Sequence, residues 1–548
     1  MQPSIKRPGV QGLKLIFLLG FMLWYHLPAR AQAAGNLTDS IDNLLASWQS
    51  ELAPGISVAA VKDGRIVYNQ SFGMANIENK VASDSLTKYW IASVSKQFTA
   101  AAIYLLASQK KLTINRSIRA YLTELPLVFQ DVTVDHLIHH TSGIRDGFVL
   151  TALAKKPESE YTNENVLRYL QAQKNLNFGP GSSYEYNNSG YVLLAILIER
   201  ISQISYPEYM KANIFDPLEM SDTYVAGSFP TGKYQAEGYH SEGSNIFRAG
   251  HFHGNTYGST GIITTVSDLV RWSKFLDEQM TAPSLSSIRK NLLQVGKLIN
   301  GRPISYSGGL EKFEYQGQAV YEHFGSDEGF KADMLYFPGT HLSVIGMTNN
   351  GSYYDLQRLL YRISDLVLAK ANKEYKTNSS DTIIRSEKYY YDAYTTQLLR
   401  VQHFETHVKV ANTPSGYAAP YQIVGDTLQS LDPVPNLLVQ QRGVILVIDS
   451  YYHKTVRLEE VRPVTTTDDL AALTGEYFSE ELQVSYRIIN TENGLQLEFV
   501  PGMAFDLFRI TKTDFMFEHA GPNVLHFTNE GLEFSREGCR KLFFQKKN

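Results

Sequence analysis

The stretch YWIASVSKQFTAAAIYLL, residues 89–106, places Ser93 three positions before Lys96, where a strand-like apolar run gives way to helical spacing. A serine hydroxyl becomes a nucleophile when a base takes its proton, and a lysine kept neutral by burial and nearby positive charge is such a base. Residues i and i+3 of a helix share a face, so one turn supplies the pair. A helix N-terminus also favours negative charge developing on the serine side. These local residues equally allow Ser93 to be a plain N-cap.

The same spacing occurs four times, at Ser85 and Lys88, Ser93 and Lys96, Ser108 and Lys111, and Ser287 and Lys290. Only Ser93 joins a preceding apolar strand to a long amphipathic helix, with Phe98, Ala101, Ala102, Leu105 and Leu106 at helical intervals. Two more groups follow in order. Tyr186 and Asn188 stand in NFGPGSSYEYNNSGYVLLAILIERIS, and His323 and Gly325 in YEHFGSDEGFKADMLYFPG. Stray copies, Tyr161 with Asn163 and His519 with Gly521, lack the order and spacing. With this set the chain resembles the serine β-lactamase and penicillin-binding protein superfamily, in particular its class C and low-molecular-weight DD-peptidase branch. That family carries SxxK, YxN about ninety residues later, and KTG or HxG on a strand facing the nucleophile. HLIHHTSGIRDG and YGSTGIITTVSDLVRWSKFL look like framework segments of the same family, so the resemblance spans about residues 50 to 370.

The resemblance implies roles. Ser93 is the acyl-forming nucleophile and Lys96 its general base, Tyr186 passes a proton to the leaving group, and Asn188 holds Lys96 and the substrate amide. The oxyanion is met by the backbone N–H of Ser93 and, past Gly325, by that of Ser326. His323 departs from the β-lactamases, which usually carry lysine there. Histidine is mostly neutral at pH 7, with a pKa of about 6.5, and so is a poor fixed partner for a substrate carboxylate. HxG resembles instead the DD-peptidase, D-aminopeptidase and esterase relatives. The expected activity is therefore serine hydrolysis, through an acyl-enzyme, of D-amino-acid peptides or amides, peptidoglycan-derived peptides or small esters. A β-lactamase, or an envelope binding or sensor protein that acylates weakly, is the alternative; the complete residue set favours the enzyme. No GxSxG elbow or HExxH helix offers a competing plan.

The elements needed to position these residues can be read around them. ISVAAVKDGRIVYNQSFG reads as a hairpin turning at Lys62, Asp63 and Gly64. YVLLAILIERISQ and VSDLVRWSKFLDEQ read as helices, the second capped by Ser267 with Asp268 in its first turn. AVYEHFG, ADMLYFP and LSVIGMTNN read as strands, and DLQRLLYRISDLVLAK as a closing helix. The expected fold is α/β (α+β): a β-lactamase/transpeptidase-like domain over 36–370, with an antiparallel sheet flanked by helices and an all-helical part. A polar linker follows at 371–388, and then a C-terminal, all-β, barrel-like domain over 389–548 that resembles the lipocalin-like domains appended to such hydrolases.

Composition limits the remaining options. At 548 residues, 43% hydrophobic and 19% charged, the chain is an ordinary globular protein of two or three domains. Its net charge of -4, from 51 basic and 55 acidic residues, offers no basic face for nucleic acid. Lys6, Arg7 and Lys14 precede the apolar LIFLLGFMLWYHL and then PARAQAAG, which reads as a signal peptide over 1–33 and export to the periplasm or the outside. The apolar run is short of the roughly 20 residues of a spanning helix, which leaves an uncleaved anchor as the alternative and no stable span after cleavage. The single cysteine, Cys539, forms no internal disulfide. His139 with His140, and His251 with His253, lack companion ligands, so neither a metal nor a cofactor is expected. Tyr184 reads as a packed aromatic, SEKYYYDAY as filler at a domain junction, and the substrate as a small molecule or peptide.

Overall fold

The computed structural model describes residues 37–50, 52–227, 234–243, 246–250, 254–353, 355–369, 385–392, 397–404, 407–411, 419–424, 427–430, 437–441, 444–449, 454–463, 470–519 and 522–547. The leader read at 1–33 and the pair His251 and His253 lie outside the described residues. Two compact units divide the chain between Ser47 and Trp48; the first contains the helix Leu37–Leu44.

The second unit begins with β1 (Ile56–Lys62) and β2 (Arg65–Phe72). Asp63 and Gly64 join them with φ of 51° and 72°, the two positive values that a tight two-residue hairpin requires. The helices α1 (Lys96–Ser108), α2 (Gly147–Leu153), α3 (Asn163–Ala172), α4 (Asn188–Ser202) and α5 (Val266–Leu276) follow. Then come β3 (Glu311–Tyr315), β4 (Gln318–Asp327), β5 (Phe330–Phe337), β6 (Leu342–Thr348) and α6 (Leu356–Val367). The strands form one antiparallel sheet in the order β3-β4-β5-β6-β1-β2. Its central strands β5 and β6 are buried along their whole length, because α5 and α6 cover one face while the turn Ala92–Ser95 lies against β4 and β5. This is the helix-flanked antiparallel sheet expected from the sequence.

Two local expectations change. The helix after Ser93 starts at Lys96, and Ala92–Ser95 forms a separate 3-10 turn, so Ser93 is not an N-cap. The α1 helix is buried at every residue from Lys96 to Leu106, on all sides rather than along one stripe, as befits a helix at the centre of a domain. The cap of α5 is Thr265, whose hydroxyl accepts from the Asp268 N–H at 3.2 Å, not Ser267.

Strand structure resumes at Ser386, inside the stretch read as linker, so part of the tyrosine-rich segment is β7 (Ser386–Asp392). It opens a closed eight-stranded barrel with β8 (Gln397–His403), β9 (Val408–Ala411), β10 (Ala419–Val424), β11 (Thr427–Ser430), β12 (Leu437–Gln441), β13 (Val444–Asp449) and β14 (Lys454–Val461). A nine-stranded antiparallel sheet follows: β15 (Gly475–Ser479), β16 (Val484–Thr491), β17 (Gly494–Val500), β18 (Met503–Asp506), β19 (Phe508–Arg509), β20 (Asp514–Glu518), β21 (Pro522–Phe527), β22 (Gly531–Arg536) and β23 (Cys539–Lys546). The strand-rich region read as one C-terminal domain is thus two successive β bodies. The second packs its apolar interior against α2 and α3: Leu150, Leu153, Ala154 and Tyr169 share a core with Tyr486, Leu495, Phe534 and Leu542.

Behind the sheet, Glu322 on β4 and Asp333 on β5 are both buried. Burial pushes both carboxyls up, and the Glu322 charge raises Asp333 further; the Glu322 carboxylate accepts from the Tyr361 hydroxyl at 2.5 Å and from Gln357, which offset part of its own rise. A folded-state carboxyl pKa above its unfolded value means the native state binds more protons, so this pair's contribution to stability is lost as pH rises past the ordinary carboxylate range. The melting temperature of Asp333→Asn should therefore gain on wild type as pH rises from about 4.5 to 8; a constant difference between the two melting curves across that range would contradict the raised pair.

Candidate active site

Four chain segments converge on Ser93. The short strand Tyr89–Trp90 delivers the 3-10 turn Ala92–Ser95, and Ala92 enters it with φ of 47°. A residue with a β-carbon pays about 1–2 kcal/mol for that left-handed conformation, so the bend presenting the Ser93 hydroxyl is held by its surroundings. One of these is Gly325 on β4: a β-carbon there would lie 2.4 Å from the Ile91 carbonyl oxygen and 3.1 Å from the Ser93 nitrogen. Only glycine lets the strand come this close, and the approach brings the backbone leading into Ser326 beside the Ser93 N–H. Past Ser326, Asp327 accepts from the Thr260 hydroxyl at 2.9 Å, and Thr260 in turn accepts from the Trp90 indole at 2.9 Å.

Lys96, in the first turn of α1, has no solvent exposure. Its Nζ donates to Ser93 Oγ at 3.0 Å, Asn188 Oδ1 at 3.0 Å and the Ser259 carbonyl at 2.7 Å, and it lies 4.8 Å from the Tyr186 ring centroid. Burial lowers its pKa to about 7; Asp146, Asp327 and Glu311 pull the other way without restoring it. The amine is thus poised to be neutral near pH 7 and to accept the Ser93 proton across the hydrogen bond they already share. Tyr186 donates its hydroxyl to Ser93 Oγ at 2.9 Å from the opposite side, and burial pushes its own pKa up, so it stays protonated.

The YxN segment is held from below. His140, with φ of 55°, lies with its ring 4.5 Å from that of Tyr186, accepts the Asn187 N–H on Nδ1 at 3.1 Å, and is kept neutral by burial and by the Lys96 charge. Asn188 is the first residue of α4, capped by Asn187, and its N–H donates to Asp146 Oδ2 at 2.6 Å. Tyr184 is buried and packs against His140 and Tyr306, as a packed aromatic would.

His323 on β4 faces the same pocket, its ring 6.1 Å from that of Tyr186. The Phe324 carbonyl, 2.8 Å from Nδ1, can only accept, so Nδ1 carries the proton and Nε2 accepts the Tyr306 hydroxyl at 2.9 Å. Burial, with the Lys96 charge second, lowers the His323 pKa to about 3. The imidazole is neutral at physiological pH and both its nitrogens are already engaged.

All seven residues singled out in the sequence thus come together: Ser93, Lys96, Tyr186, Asn188, His323, Gly325 and Ser326. The stray copies do not. Lys88 pairs with Asp222 at 2.8 Å, Ser108 bonds back to the Leu105 carbonyl at 2.8 Å, Asn163 meets the Tyr257 backbone at 3.1 Å, and Gly521 lies outside the described residues. Sequence reasoning missed Asp146, Ser259 and Tyr306. Asp146 had a signal, an Asp-Gly before an apolar run, which is a helix-cap pattern; its side chain accepts from the Phe148 and Val149 N–H groups at 2.9 and 3.3 Å. Ser259 acts through its carbonyl and Tyr306 from a segment with no motif, so neither left a trace in residue type.

Comparison with known proteins agrees with this fold. The family model described as Beta-lactamase matches residues 41–367. A D-aminopeptidase of Gluconobacter oxydans (strain 621H) is 24% identical over 520 residues, covering 90% of this chain and 96% of its own. Among solved structures, the octameric penicillin-binding protein homologue from Pyrococcus abyssi superposes with a TM-score of 0.56 at 23% identity, over 78% of this chain and 99% of that one. A class C beta-lactamase superposes with a TM-score of 0.52 at 22% identity, over 62% of this chain and 97% of that one.

Two outcomes follow for a fluorophosphonate probe that reacts with activated serines. Labelling of Ser93 should accelerate as pH rises through about 7, because the proton on Lys96 must leave first; a rate flat from pH 5.5 to 9 would remove Lys96 from the reaction. Gly325→Ala should slow labelling by about a hundredfold or more, the usual cost of losing an oxyanion donor, while an unchanged rate would mean that the close approach of β4 is dispensable.

Proposed function

The chain belongs to the beta-lactamase family of serine hydrolases, and on that premise we propose that it is an exported enzyme that releases D-amino acids from the amino end of short peptides and amides through an acyl-enzyme on Ser93. The observation that carries this reading is the position of Ser93 Oγ, 3.0 Å from a lysine amine with a pKa of about 7 and 2.9 Å from a protonated tyrosine. Neutral Lys96 takes the Ser93 proton as Oγ bonds to the substrate carbonyl carbon, and the backbone N–H groups of Ser93 and Ser326 receive the oxyanion. The C–N bond then breaks, the leaving amine takes the Tyr186 proton, and Tyr186 is reprotonated from Lys96. Water cleaves the ester and restores the serine.

Electrostatics supports the choice of substrate end. A carboxypeptidase or β-lactamase must hold a substrate carboxylate, yet His323 is neutral and engaged. The charges acting on Lys96 from around the pocket are instead acidic, those of Asp146, Asp327 and Glu311, and such a field favours a free α-ammonium group. The D-aminopeptidase of Gluconobacter oxydans, similar over nearly the whole chain, agrees in direction. Peptidoglycan-derived peptides are a natural source of D-residues for an enzyme carried outward by the leader read at residues 1–33.

The test compares D-alanine p-nitroanilide, its N-acetyl derivative, an N-acylated D-alanyl-D-alanine peptide and nitrocefin, with Ser93→Ala as the blank. The free-amino anilide should be turned over, and acetylation should cut kcat/KM by about tenfold to a hundredfold, the worth of a hydrogen bond to a charged group. Faster cleavage of the carboxylate-ended peptide or of nitrocefin would overturn the aminopeptidase reading. Absence of Ser93-dependent turnover and of fluorophosphonate label would favour a binding protein.

A further inference from the structure

Among the contacts of the nine-stranded C-terminal sheet with the hydrolase domain, one helix and one hairpin lead to the catalytic residues. The helix is α2, only seven residues long, whose Leu150 and Leu153 are sunk in the interior of that sheet. Both of its ends are tied to the same body. At the far end the Tyr486 hydroxyl donates to the Leu153 carbonyl at 2.7 Å, and Lys155 Nζ donates to the Ser485 carbonyl at 2.6 Å. At the near end the Asp146 N–H donates at 2.8 Å to the carbonyl of Gly538, at the tip of the β22–β23 hairpin. Gly538 has φ of 79°, and a β-carbon there would lie 3.1 Å from that of Asp146 and 3.2 Å from Val149 Cγ2, so the tip is fitted closely to Asp146 and Val149.

Asp146 passes the constraint on. One carboxylate oxygen caps α2, and the other takes the Asn188 N–H at 2.6 Å, while Asn188 Oδ1 receives the Lys96 amine at 3.0 Å. The same hairpin reaches the YxN segment by a second route. The Arg540 guanidinium donates to the carboxylate of Glu185, the residue before Tyr186; the Arg540 N–H donates to Asn177 Oδ1 at 2.9 Å, and Asn177 Nδ2 donates to Glu185 Oε1 at 3.0 Å. Between the two routes, fully buried Arg145 donates to Glu481 at 2.5 Å and to the carbonyls of Arg540 and Lys541 at 3.2 and 3.1 Å.

From this we infer that the β22–β23 hairpin, through Gly538 and Arg540, is a positioning element of the catalytic site, setting Asn188 against Lys96 and Tyr186 against Ser93, so that the hydrolase domain is fully competent only with its C-terminal sheet docked. The inference rests on Ser93 being the reacting group but is independent of the substrate. Arg540 and Glu185 are positioning residues: they act on Tyr186 and Asn188 through the backbone.

The test reads the rate of fluorophosphonate labelling at Ser93, the pH dependence of that rate, and the melting temperature, for full-length Arg540→Met, Arg540→Lys, Gly538→Ala and the double variant Glu185→Gln with Arg540→Met. Lys174→Ala, which removes an exposed ion pair with Glu480 at the same junction, serves as control. Arg540→Met and Gly538→Ala should label about tenfold to a hundredfold more slowly, the scale of a displacement near 1 Å. Their acid limb should move below that of wild type, because an Asn188 and Asp146 less well placed no longer favour protonated Lys96. Arg540→Lys should recover part of the rate, and Lys174→Ala should match wild type. The double variant separates positioning from plain stability, since it leaves no buried carboxylate unpaired: a wild-type melting temperature with slow labelling is expected. Wild-type labelling in the double variant, or unshifted limbs in both single variants, would overturn the inference. Lack of label on wild type would instead sink the serine-hydrolase reading itself.

Discussion

Burying the Lys96 amine at the start of a fully enclosed helix is the constraint around which the rest of the site is arranged. An ammonium taken out of water without partners is strongly disfavoured, and in practice such a group lowers its pKa rather than carry the charge. Here three acceptors receive its donors: Ser93 Oγ, Asn188 Oδ1 and the Ser259 carbonyl. They come from the turn before α1, the start of α4 and the loop before α5, three places far apart in the chain. The same arrangement that satisfies the protonated amine keeps the neutral one against the serine, so one structural requirement serves both stability and reactivity.

The second feature is the neutral ring of His323, at the position where β-lactamases usually carry lysine. By its intrinsic pKa a histidine there is mostly neutral at pH 7 but still able to charge in mild acid. The structure decides its charge by burial, against which the hydrogen bond to the Phe324 carbonyl is too weak; that carbonyl fixes the proton on Nδ1 and the Tyr306 hydroxyl occupies Nε2. Desolvation beside Lys96 makes a second positive charge there unfavourable. Whatever lies near His323 meets a neutral, hydrogen-bonded ring rather than a fixed positive charge.

The architecture divides this labour between a rigid sheet and what is laid on it. Strands β4 and β5 support the turn bearing Ser93, and the absence of a side chain at Gly325 allows contact at backbone distance. Docked C-terminal β structure fills the other side. Its sheet engulfs α2 and, with the Gly538 tip, leaves Asp146 little freedom. An appended domain that looks like packing material is therefore continuous, by hydrogen bonds, with the residues that surround the nucleophile.

Much of this was legible in the chain itself. Residue type and spacing made Ser93 and Lys96 a candidate pair, and the resemblance to a family carrying SxxK, YxN and HxG added Tyr186, Asn188, His323 and Gly325, while the strands and helices around them carry period-2 and period-3.6 patterns. The hairpin at Asp63 and Gly64 was readable for the same reason: only a few residues tolerate positive φ. Local sequence misplaced the start of α1 by three residues, since the turn Ala92–Ser95 is imposed by β4 rather than by its own propensity. It could not show that Ser259 contributes a carbonyl, as every residue has one, nor that Tyr306 hydrogen-bonds His323 or that Arg540 reaches Glu185 across 355 positions. Sequence determined which groups could react, because that is a matter of side-chain chemistry; tertiary structure alone decided their protonation and aim, because those depend on desolvation and on partners that only folding brings within about 3 Å.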